Sequence, residues 1–409
     1  MSEWKEVKLS MLGNIITGKT PRTAIEENYG GDIPFLTPSD DMSVKHVYFT
    51  KKTLSEKGVM EVKSCLLPIG SVCVSCIGSD LGKVVITTCK TVTNQQINSI
   101  VVNEKNNNDF VYYLLTIVGK ELNRISKTST AVPIINKSTF SSFEARIPDL
   151  FTQSEIAGIL SSLDAKIETN NKLNEKLEEM AQAIFKSWFV DFEPFKDQPF
   201  HETELGMIPE GWEVCYLGDF IHEIETGKRE KGGAINYGIP SIGAEKIERI
   251  SYYDFSSEKY ISWDFYNNLK KGKIKDCDVL LYKDGAYTGK STMFIDNFPY
   301  KECAINEHVF ILRTNKKRYQ SFLYLFLNQK KIKELIHSLA SSKAAQPGLN
   351  QKEISSVMFI KPSEDILNNF ENMIFPLLKH IVHNLKENQR LASLRDTLLP
   401  RLMSGEIKV

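Results

Sequence analysis

The chain has 409 residues, of which 42% are hydrophobic and 25% are charged, and its 51 basic side chains balance 51 acidic ones. This composition is ordinary for a globular protein of two or three domains, and a net charge of zero does not by itself favour nucleic-acid binding. The N-terminus lacks an apolar core of signal-peptide length, and the longest apolar run, residues 110–118, is too short to span a membrane. Seven cysteines without framework spacing indicate a reducing compartment, so we expect a cytoplasmic protein.

The first motif along the chain, residues 13–20, matches the phosphate-binding pattern GxxxxGK[ST]. Its interior contains β-branched residues, which resist the tight turn that directs backbone N–H groups at phosphate. Pro21 disfavours a helical Thr20, although a P-loop requires a helix to begin there. These features argue against nucleotide binding, and an NTPase using this loop remains an alternative function.

Short β-branched runs predict strands over residues 72–74, 84–86 and 97–102, and a helix over 110–126 follows. A polar loop over 127–131 then precedes Pro133. Cys73 and Cys76 form a CxxC pattern, but it lies within a strand-like run and has no histidine nearby. We therefore expect no metal site.

Residues 153–192 predict one long amphipathic helix, because apolar residues recur at alternating steps of three and four, as in a coiled coil. Asn170 and Asn174 occupy two positions where this pattern requires apolar residues. A shift of 214 residues gives a second such helix, in which Asn384 and Asn388 interrupt the pattern at the same places. Pro376 and Pro400 lie in this second helix, and we expect each to kink or break it.

The repeat extends beyond the helices. Thr17-Gly18-Lys19 returns as Thr226-Gly227-Lys228, and further strands are predicted over 279–282, 292–295 and 309–312, with a helix over 319–338 and a polar loop over 341–346. A two-unit repeat of about 200 residues predicts a pair of domains rather than a solenoid. We expect an α+β fold in which each unit combines a curved or barrel-like sheet with helices.

An antiparallel pairing of the two helices brings together residues whose numbers add to 558, which pairs Asn170 with Asn388 and Asn174 with Asn384. Paired asparagines satisfy one another, whereas a slipped register buries them against leucine at a cost of a few kcal/mol. We interpret the helices as a spacer of fixed register. The alternative is a core helix hairpin with polar residues at its wet edge.

Basic residues are concentrated in residues 270–343, which contain 15 Lys and Arg against 7 Asp and Glu. Such a stretch is either a solvated face or a surface that follows DNA phosphates. Two units separated by a helix of about 34 residues, which spans on the order of 50 Å, suit a bipartite DNA site. Candidate DNA contacts are the loop residues Lys19, Arg22, Lys83, Lys127 and Ser129 in the first unit, and Lys228, Arg229, Lys290, Lys343 and Gln346 in the second.

The sequence resembles the specificity subunits of Type I restriction–modification systems. The resemblance covers the whole chain and rests mainly on the segments that close the two helices, AIFKSWFVDFEP at 183–194 and TLLPRLMSGEI at 397–407. It implies target-recognition domains at 1–150 and 193–363, and conserved helical regions at 151–192 and 364–409 that form an antiparallel coiled coil. Each target-recognition domain would recognise one half of an asymmetric, interrupted sequence in double-stranded DNA.

The resemblance also implies that two methyltransferase subunits dock on the helical regions and that restriction–translocase subunits join the complex. The chain itself would have no catalytic site and no cofactor, since S-adenosylmethionine, ATP and Mg²⁺ would belong to its partners. Apolar residues crowd the ends of the helices and are candidate docking residues: Trp188, Phe189, Phe192, Leu398, Leu399 and Leu402. A two-headed structural adapter that binds proteins is a further alternative.

Overall fold

A computed structural model describes residues 4–126, 134–314, 319–341 and 348–409, and the chain divides into two compact units. Unit one comprises Met1–Lys166 together with Leu391–Val409, and unit two comprises Ile167–Arg390. Each of two 40-residue helices, over Leu150–Phe189 and Glu364–Met403, begins in one unit and ends in the other. The domain boundaries placed at residues 150, 192 and 363 stay a prediction.

Unit one combines short strands with helices. Its strands are β1 (Lys5–Lys8), β2 (Gly13–Thr17), β3 (Tyr29–Leu36), β4 (His46–Val47), β5 (Thr53–Leu54), β6 (Leu66–Leu67), β7 (Val72–Ser75), β8 (Val84–Thr87), β9 (Thr91–Thr93), β10 (Ile97–Val102) and β11 (Glu144–Ile147). Its helices are α1 (Glu56–Glu61), α2 (Asn108–Ser126), α3 (Lys137–Ser142) and the first part of α4 (Leu150–Phe189).

Two sheets form the frame of unit one. The larger has the strand order β2-β10-β7-β8-β4, and the smaller has the order β5-β3-β9-β6. The apolar face of the larger sheet, including Val72 and Ile100, packs with Phe110 of α2 and Ile156 of α4 in one core. Burial of these side chains stabilises the unit by roughly 1.5–3 kcal/mol each.

Unit two repeats this mixture of strands and helices. Its strands are β12 (Phe200–Thr203), β13 (Gly206–Pro209), β14 (Glu213–Tyr216), β15 (Ile221–Thr226), β16 (Ile239–Ile242), β17 (Tyr260–Ile261), β18 (Val279–Tyr282), β19 (Ser291–Met293), β20 (Ala304–Ile305), β21 (Val309–Thr314) and β22 (Met358–Lys361). Its helices are the second part of α4 (Leu150–Phe189), α5 (Leu217–Phe220), α6 (Trp263–Asn268), α7 (Gln320–Leu327), α8 (Lys330–Ser341), α9 (Gln351–Ser355) and most of α10 (Glu364–Met403).

The strand pairings show that the two units are copies of one design. The order β15-β21-β18-β19 repeats β2-β10-β7-β8, and the parallel pair β16–β20 repeats β3–β9. The ribbon β14–β22 likewise repeats β1–β11. The predicted α+β fold with two similar sheet-and-helix units and two long helices is confirmed, and the main sheets are open rather than closed into a barrel.

Within unit two, the asparagines of α4 and α10 meet. Asn170 Nδ2 donates a hydrogen bond to Asn388 Oδ1 at 2.8 Å, and Asn384 Nδ2 donates one to Asn174 Oδ1 at 2.8 Å. These are the two contacts that the sum of 558 predicts. Because one residue number rises as the other falls, the two helices are antiparallel here.

Two helix predictions need correction. Helix α10 continues without interruption through Pro376 and Pro400, so neither proline breaks it, and a kink at either residue stays a prediction. Ile374 and Leu378, on either side of Pro376, are fully buried, and this packing offsets the roughly 3 kcal/mol that an interior proline costs. The helix predicted over 319–338 is instead divided into α7 and α8. In the described part of the chain, no helix has the length and apolar character needed to cross a membrane.

Candidate nucleic-acid interface

The P-loop-like segment is a strand. Residues Gly13–Thr17 form β2, which pairs antiparallel with β10 from Gly13 opposite Val102 to Thr17 opposite Asn98. A Cβ atom on Gly13 would lie 2.1 Å from the carbonyl oxygen of Val101, so this glycine permits close strand packing. The segment therefore has neither the loop nor the following helix that a P-loop needs.

In unit one, several loops meet at one edge of the larger sheet. The backbone N–H of Lys19, after β2, donates to the carbonyl of Thr93 at 2.9 Å, and that of Ile135 donates to Cys76 at 3.0 Å. These loops surround a cavity of about 430 Å³. Its polar lining consists of Thr17, Gln95, Gln96, Asn98, Asn136 and Lys137.

Unit two has a cavity of about 260 Å³ between the loop after β15 and the loop before β21. Its lining is more highly charged than that of unit one and includes Lys228, Arg229, Glu230, Glu245, Lys259, Glu307 and His308. The loop before β10 or β21 therefore lines a concave polar site in each unit, but the other walls differ: residues 134–137 close the cavity of unit one, whereas the loop after β15 closes that of unit two.

A glycine holds the two loops together in each unit. A Cβ atom on Gly18 would lie 2.2 Å from the Thr93 carbonyl oxygen, and one on Gly227 would lie 2.1 Å from that of Ile305. Any other residue would push the loops apart, since real Cβ contacts are never so short. The repeated Thr-Gly-Lys sequence thus positions the loop that follows each first strand.

An asparagine also shapes the opposite loop in each copy. Asn94 Oδ1 accepts a hydrogen bond from the backbone N–H of Gln96 at 3.1 Å, and Asn306 Oδ1 accepts one from that of His308 at 3.0 Å. This side-chain-to-backbone turn fixes the residue between the two ends, Gln95 or Glu307, at the tip of the loop. The tips therefore occupy equivalent places in the two sites.

Contacts between polar and charged side chains organise the site of unit two. His308 Nδ1 lies 3.0 Å from Asp284 Oδ2, and Lys259 Nζ lies 2.5 Å from Glu245 Oε1. Burial alone would raise the pKa of Glu245, but the hydrogen bond and charge of Lys259 outweigh it and lower that pKa. Glu245 is therefore an anion near neutral pH and holds Lys259 at the cavity.

Of the candidate DNA contacts, Lys228 and Arg229 line the cavity of unit two. Lys19 is exposed on the matching loop of unit one, and Arg22, two residues beyond Thr20, is exposed and lies 3.1 Å from Glu61. Lys228 and Arg229 thus lie at a loop cavity, whereas Lys19 and Arg22 line neither of the two cavities.

The remaining candidates lie elsewhere. Lys83 Nζ lies 2.6 Å from Asp80, and Lys290 pairs with Glu248 and lies 4.5 Å from the centre of the Tyr287 ring. Neither lysine lines a loop cavity described above. Four further candidates fall outside the described residues: Lys127, Ser129, Lys343 and Gln346.

Sequence reasoning missed several residues that line the sites. Gln95, Gln96 and Asn98 in unit one, and Lys259 and His308 in unit two, were not among the candidates. A usable signal was present, because residues 94–97 resemble residues 306–309 in the repeat. The repeat showed that these segments correspond, but it did not show that they face the loop containing Lys19 or Lys228.

The proposed docking residues are largely occupied by the cores. Phe189 is 6% exposed in unit two, and Leu399 and Leu402 are 7% and 1% exposed in unit one. Their side chains pack inside their own units. Trp188, Phe192 and Leu398 are half-buried, and docking by these six residues stays a prediction.

The CxxC cysteines have the character of buried thiols. Cys73 and Cys76 are buried, and burial raises the pKa of Cys73 to about 12. A metal ligand must be a thiolate, which this environment disfavours. Over residues 4–126, 134–314, 319–341 and 348–409, His, Cys, Asp and Glu form no group of three or more that could hold a metal ion.

Comparisons with known proteins agree with these features. A family model for the Type I restriction modification DNA specificity domain matches residues 1–179. The chain is 32% identical to the Type I restriction enzyme MjaIX specificity subunit of Methanocaldococcus jannaschii, over 100% of this chain and 94% of that protein. It is 27% identical to the HindI specificity subunit of Haemophilus influenzae, over 68% of this chain and 72% of that protein.

A crystal structure of the Type I restriction–modification S subunit from M. genitalium shares the fold. Its TM-score is 0.59 at 16% identity, and the match covers 98% of this chain and 96% of that one. The full-length relationship to MjaIX and the duplicated units joined by long helices lead to the same conclusion. The chain belongs to the specificity subunits of Type I restriction enzymes, and it is a non-catalytic DNA-specificity subunit.

Proposed function

We propose that this chain selects the target of a Type I restriction–modification complex by recognising a bipartite sequence in double-stranded DNA, one half with each unit. The observation that carries the proposal is the duplicated loop site, in which Gly18 and Gly227 hold equivalent loops together. The side chains at the two sites differ, so the two half-sites are expected to differ in sequence.

The asparagine contacts support a fixed spacing between the half-sites. Within unit two, Asn170 and Asn174 bond to Asn388 and Asn384, and a slipped register would lose both of these hydrogen bonds. A defined helix register gives each unit a reproducible place along the DNA. The spacer between the half-sites is therefore expected to have one length.

The proposal includes the partners that a specificity subunit needs. Two methyltransferase subunits dock on the helical regions, and restriction–translocase subunits complete the complex. S-adenosylmethionine, ATP and Mg²⁺ bind to those partners, which perform the chemistry. The complex acts in the cytoplasm, and the seven free cysteines are compatible with such a reducing compartment.

The test is to map modified adenines across the genome of cells with and without the gene for this chain. We expect one interrupted sequence, with two different half-sites and a constant spacer, to lose its modification when the gene is absent. The same map from cells that lack only the methyltransferase partner is the matched control. Equal modification of unrelated sequences by the reconstituted complex would show that the chain does not select DNA.

A further inference from the structure

One pair of positions, which we call the cross-loop pair, bridges the two loops of each site. In unit one it consists of Thr20 and Gln95, and in unit two of Arg229 and Glu307. Thr20 and Arg229 each follow the repeated Gly-Lys dipeptide, whereas Gln95 and Glu307 each follow the loop asparagine. The two pairs are thus equivalent in the repeat but differ completely in chemistry.

In unit one the cross-loop pair is a neutral hydrogen-bonded pair. Thr20 Oγ1 donates to Gln95 Oε1 at 2.7 Å, and Gln95 is exposed at the loop tip and lines the cavity. A carbonyl oxygen has two lone pairs, so Gln95 keeps one acceptor site as well as the donors of its amide nitrogen. The pair therefore offers an adjacent donor and acceptor together with the methyl group of Thr20.

In unit two the same pair is ionic and loose. Arg229 Nη1 lies 3.9 Å from Glu307 Oε1, and the side chains are 73% and 33% exposed. Such an exposed ion pair contributes about 0–1 kcal/mol to folding. Both charged groups line the cavity, so a ligand can bind to them at little cost to the fold.

These two chemistries match the two kinds of base pair. In the major groove, G·C presents the acceptors N7 and O6 of guanine beside the N4 amino donor of cytosine, and A·T presents N7 and N6 of adenine beside O4 and the methyl group of thymine. An arginine next to a glutamate complements the first pattern. A glutamine next to a threonine complements the second, because glutamine bonds adenine N6 and N7 and threonine contacts the thymine methyl group.

We propose that the cross-loop pair in each unit recognises one base pair in the major groove, A·T by Thr20 and Gln95 and G·C by Arg229 and Glu307. This inference rests on the proposed function, since it identifies the specificity-determining residues of the same sites. It also attributes part of the sequence difference between the two DNA half-sites to the two residues of the cross-loop pair in each unit. The neighbouring Lys19 and Lys228 are placed to contact phosphates beside these base pairs.

The experiment exchanges the pairs. The variants T20R/Q95E and R229T/E307Q are each assembled with the methyltransferase partner, and the modified sequences are determined on a DNA library in which both half-sites are randomised. We expect the first variant to change one A·T position of one half-site to G·C, and the second to change one G·C position of the other half-site to A·T. The variant E121Q/R124T alters an exposed ion pair on α2 in the same way and is expected to leave both half-sites unchanged.

Q95A provides an independent measure, because it removes the proposed contact without adding a charge. Discrimination at one position should fall roughly five- to 150-fold, while the other positions keep their preference. Competition binding with duplexes carrying each base pair gives the same measure for a complex that no longer modifies DNA. If T20R/Q95E, R229T/E307Q and Q95A all keep the wild-type base preference at every position, the inference is overturned and the proposed function stays intact. A wild-type complex without any sequence preference would instead contradict the proposed function itself.

Discussion

Units one and two build the same sheet around different interactions. In unit one, Val101 of β10 lies opposite Asn14 of β2, whereas in unit two Arg313 of β21 lies opposite Glu223 of β15. Arg313 Nη1 lies 2.7 Å from Glu223 and 2.6 Å from Glu225, and its Nη2 lies 2.6 Å from Asp278. The counterparts of its three carboxylates in unit one are uncharged: Asn14, Ile16 and Ser71.

The two units therefore keep the same strand order although the residue at this position of the sheet is the apolar Val101 in unit one and the charged Arg313 in unit two. Burial alone would lower the pKa of Arg313, but its hydrogen bonds and the charge of Asp278 raise it. Burial also raises the pKa of Asp278 despite the neighbouring guanidinium. The cluster thus carries a desolvation cost that unit one avoids, and a buried ion pair need not stabilise more than an apolar contact.

The largest expected effect comes from breaking the ionic cluster. Arg313→Val places the residue of unit one in unit two but leaves Asp278 and Glu225 buried without their cation. We expect the free energy of unfolding of unit two to fall by about 3–5 kcal/mol. Urea unfolding followed by tryptophan fluorescence measures this change, since Trp188 and Trp212 pack in or against the core of unit two.

The control transfers the whole set of unit-one residues. The variant E223N/E225I/D278S/R313V removes every charge of the cluster, and we expect it to recover most of the stability that R313V loses. If the fourfold variant is as unstable as R313V, the ionic cluster is required by unit two and the two interiors are not interchangeable.

A second difference lies on the long helices. Glu371 of α10 is 7% exposed and accepts a hydrogen bond from the backbone N–H of Phe322 at 2.8 Å, whereas the equivalent residue of α4 is the buried Ala157. Burial raises the pKa of Glu371 from its ordinary value of 4.5 to about 7. Between about pH 4.5 and about pH 7, folded unit two therefore keeps a proton on Glu371 that the unfolded chain has lost.

Stability must then decrease as pH rises from about 4.5 to about 7, because ionisation of Glu371 is easier in the unfolded chain. The shift corresponds to roughly 3 kcal/mol at pH 8. Glu371→Gln keeps the acceptor oxygen and cannot ionise, so we expect its Tm to exceed that of the wild type increasingly as pH rises from 5 to 8. Thermal unfolding across this range measures the difference. Glu334→Gln at an exposed position is the control, and an equal response of the two variants would exclude burial as the cause.

The repeat made much of this molecule predictable from sequence. The asparagine pairs followed from two matching interruptions in a heptad pattern, and the main-sheet strands β7, β8, β10, β18, β19 and β21 followed from short β-branched runs. Both signals depend on residues that are near in sequence or aligned by the 214-residue shift. The Gly-Lys loops of the candidate sites were found in the same way.

The features that sequence missed depend on contacts between distant segments. Arg313 meets Glu223 across 90 residues, and nothing in the local sequence of Glu371 distinguishes it from an exposed helix glutamate. Likewise, Gln95 became a candidate only when the structure placed it against Thr20. The continuation of α10 through Pro376 was missed because helix propensity does not include the packing of Ile374 and Leu378.

Both long helices contribute to the asparagine layer, in which Asn174 of α4 bonds to Asn384 of α10. Altering this layer gives the smallest expected change in stability. Asn174 and Asn384 are 0% and 4% exposed, and Asn174 Nδ2 has no hydrogen-bond partner among the described residues. Asn384→Leu also removes the donor to Asn174 Oδ1, so we expect the free energy of unfolding of unit two, measured in urea, to fall by about 1–3 kcal/mol.

N174L/N384L removes both amides and should be at least as stable as the wild type, because leucines suit this position of a coiled coil. If the double variant loses as much as N384L, the asparagines stabilise the helix pair directly. If the double variant is stable but the modified DNA sites acquire variable spacers, the asparagines fix the register of the two helices rather than their stability. The charged cluster of Arg313 and the buried Glu371 would then be differences between the units that do not affect this register.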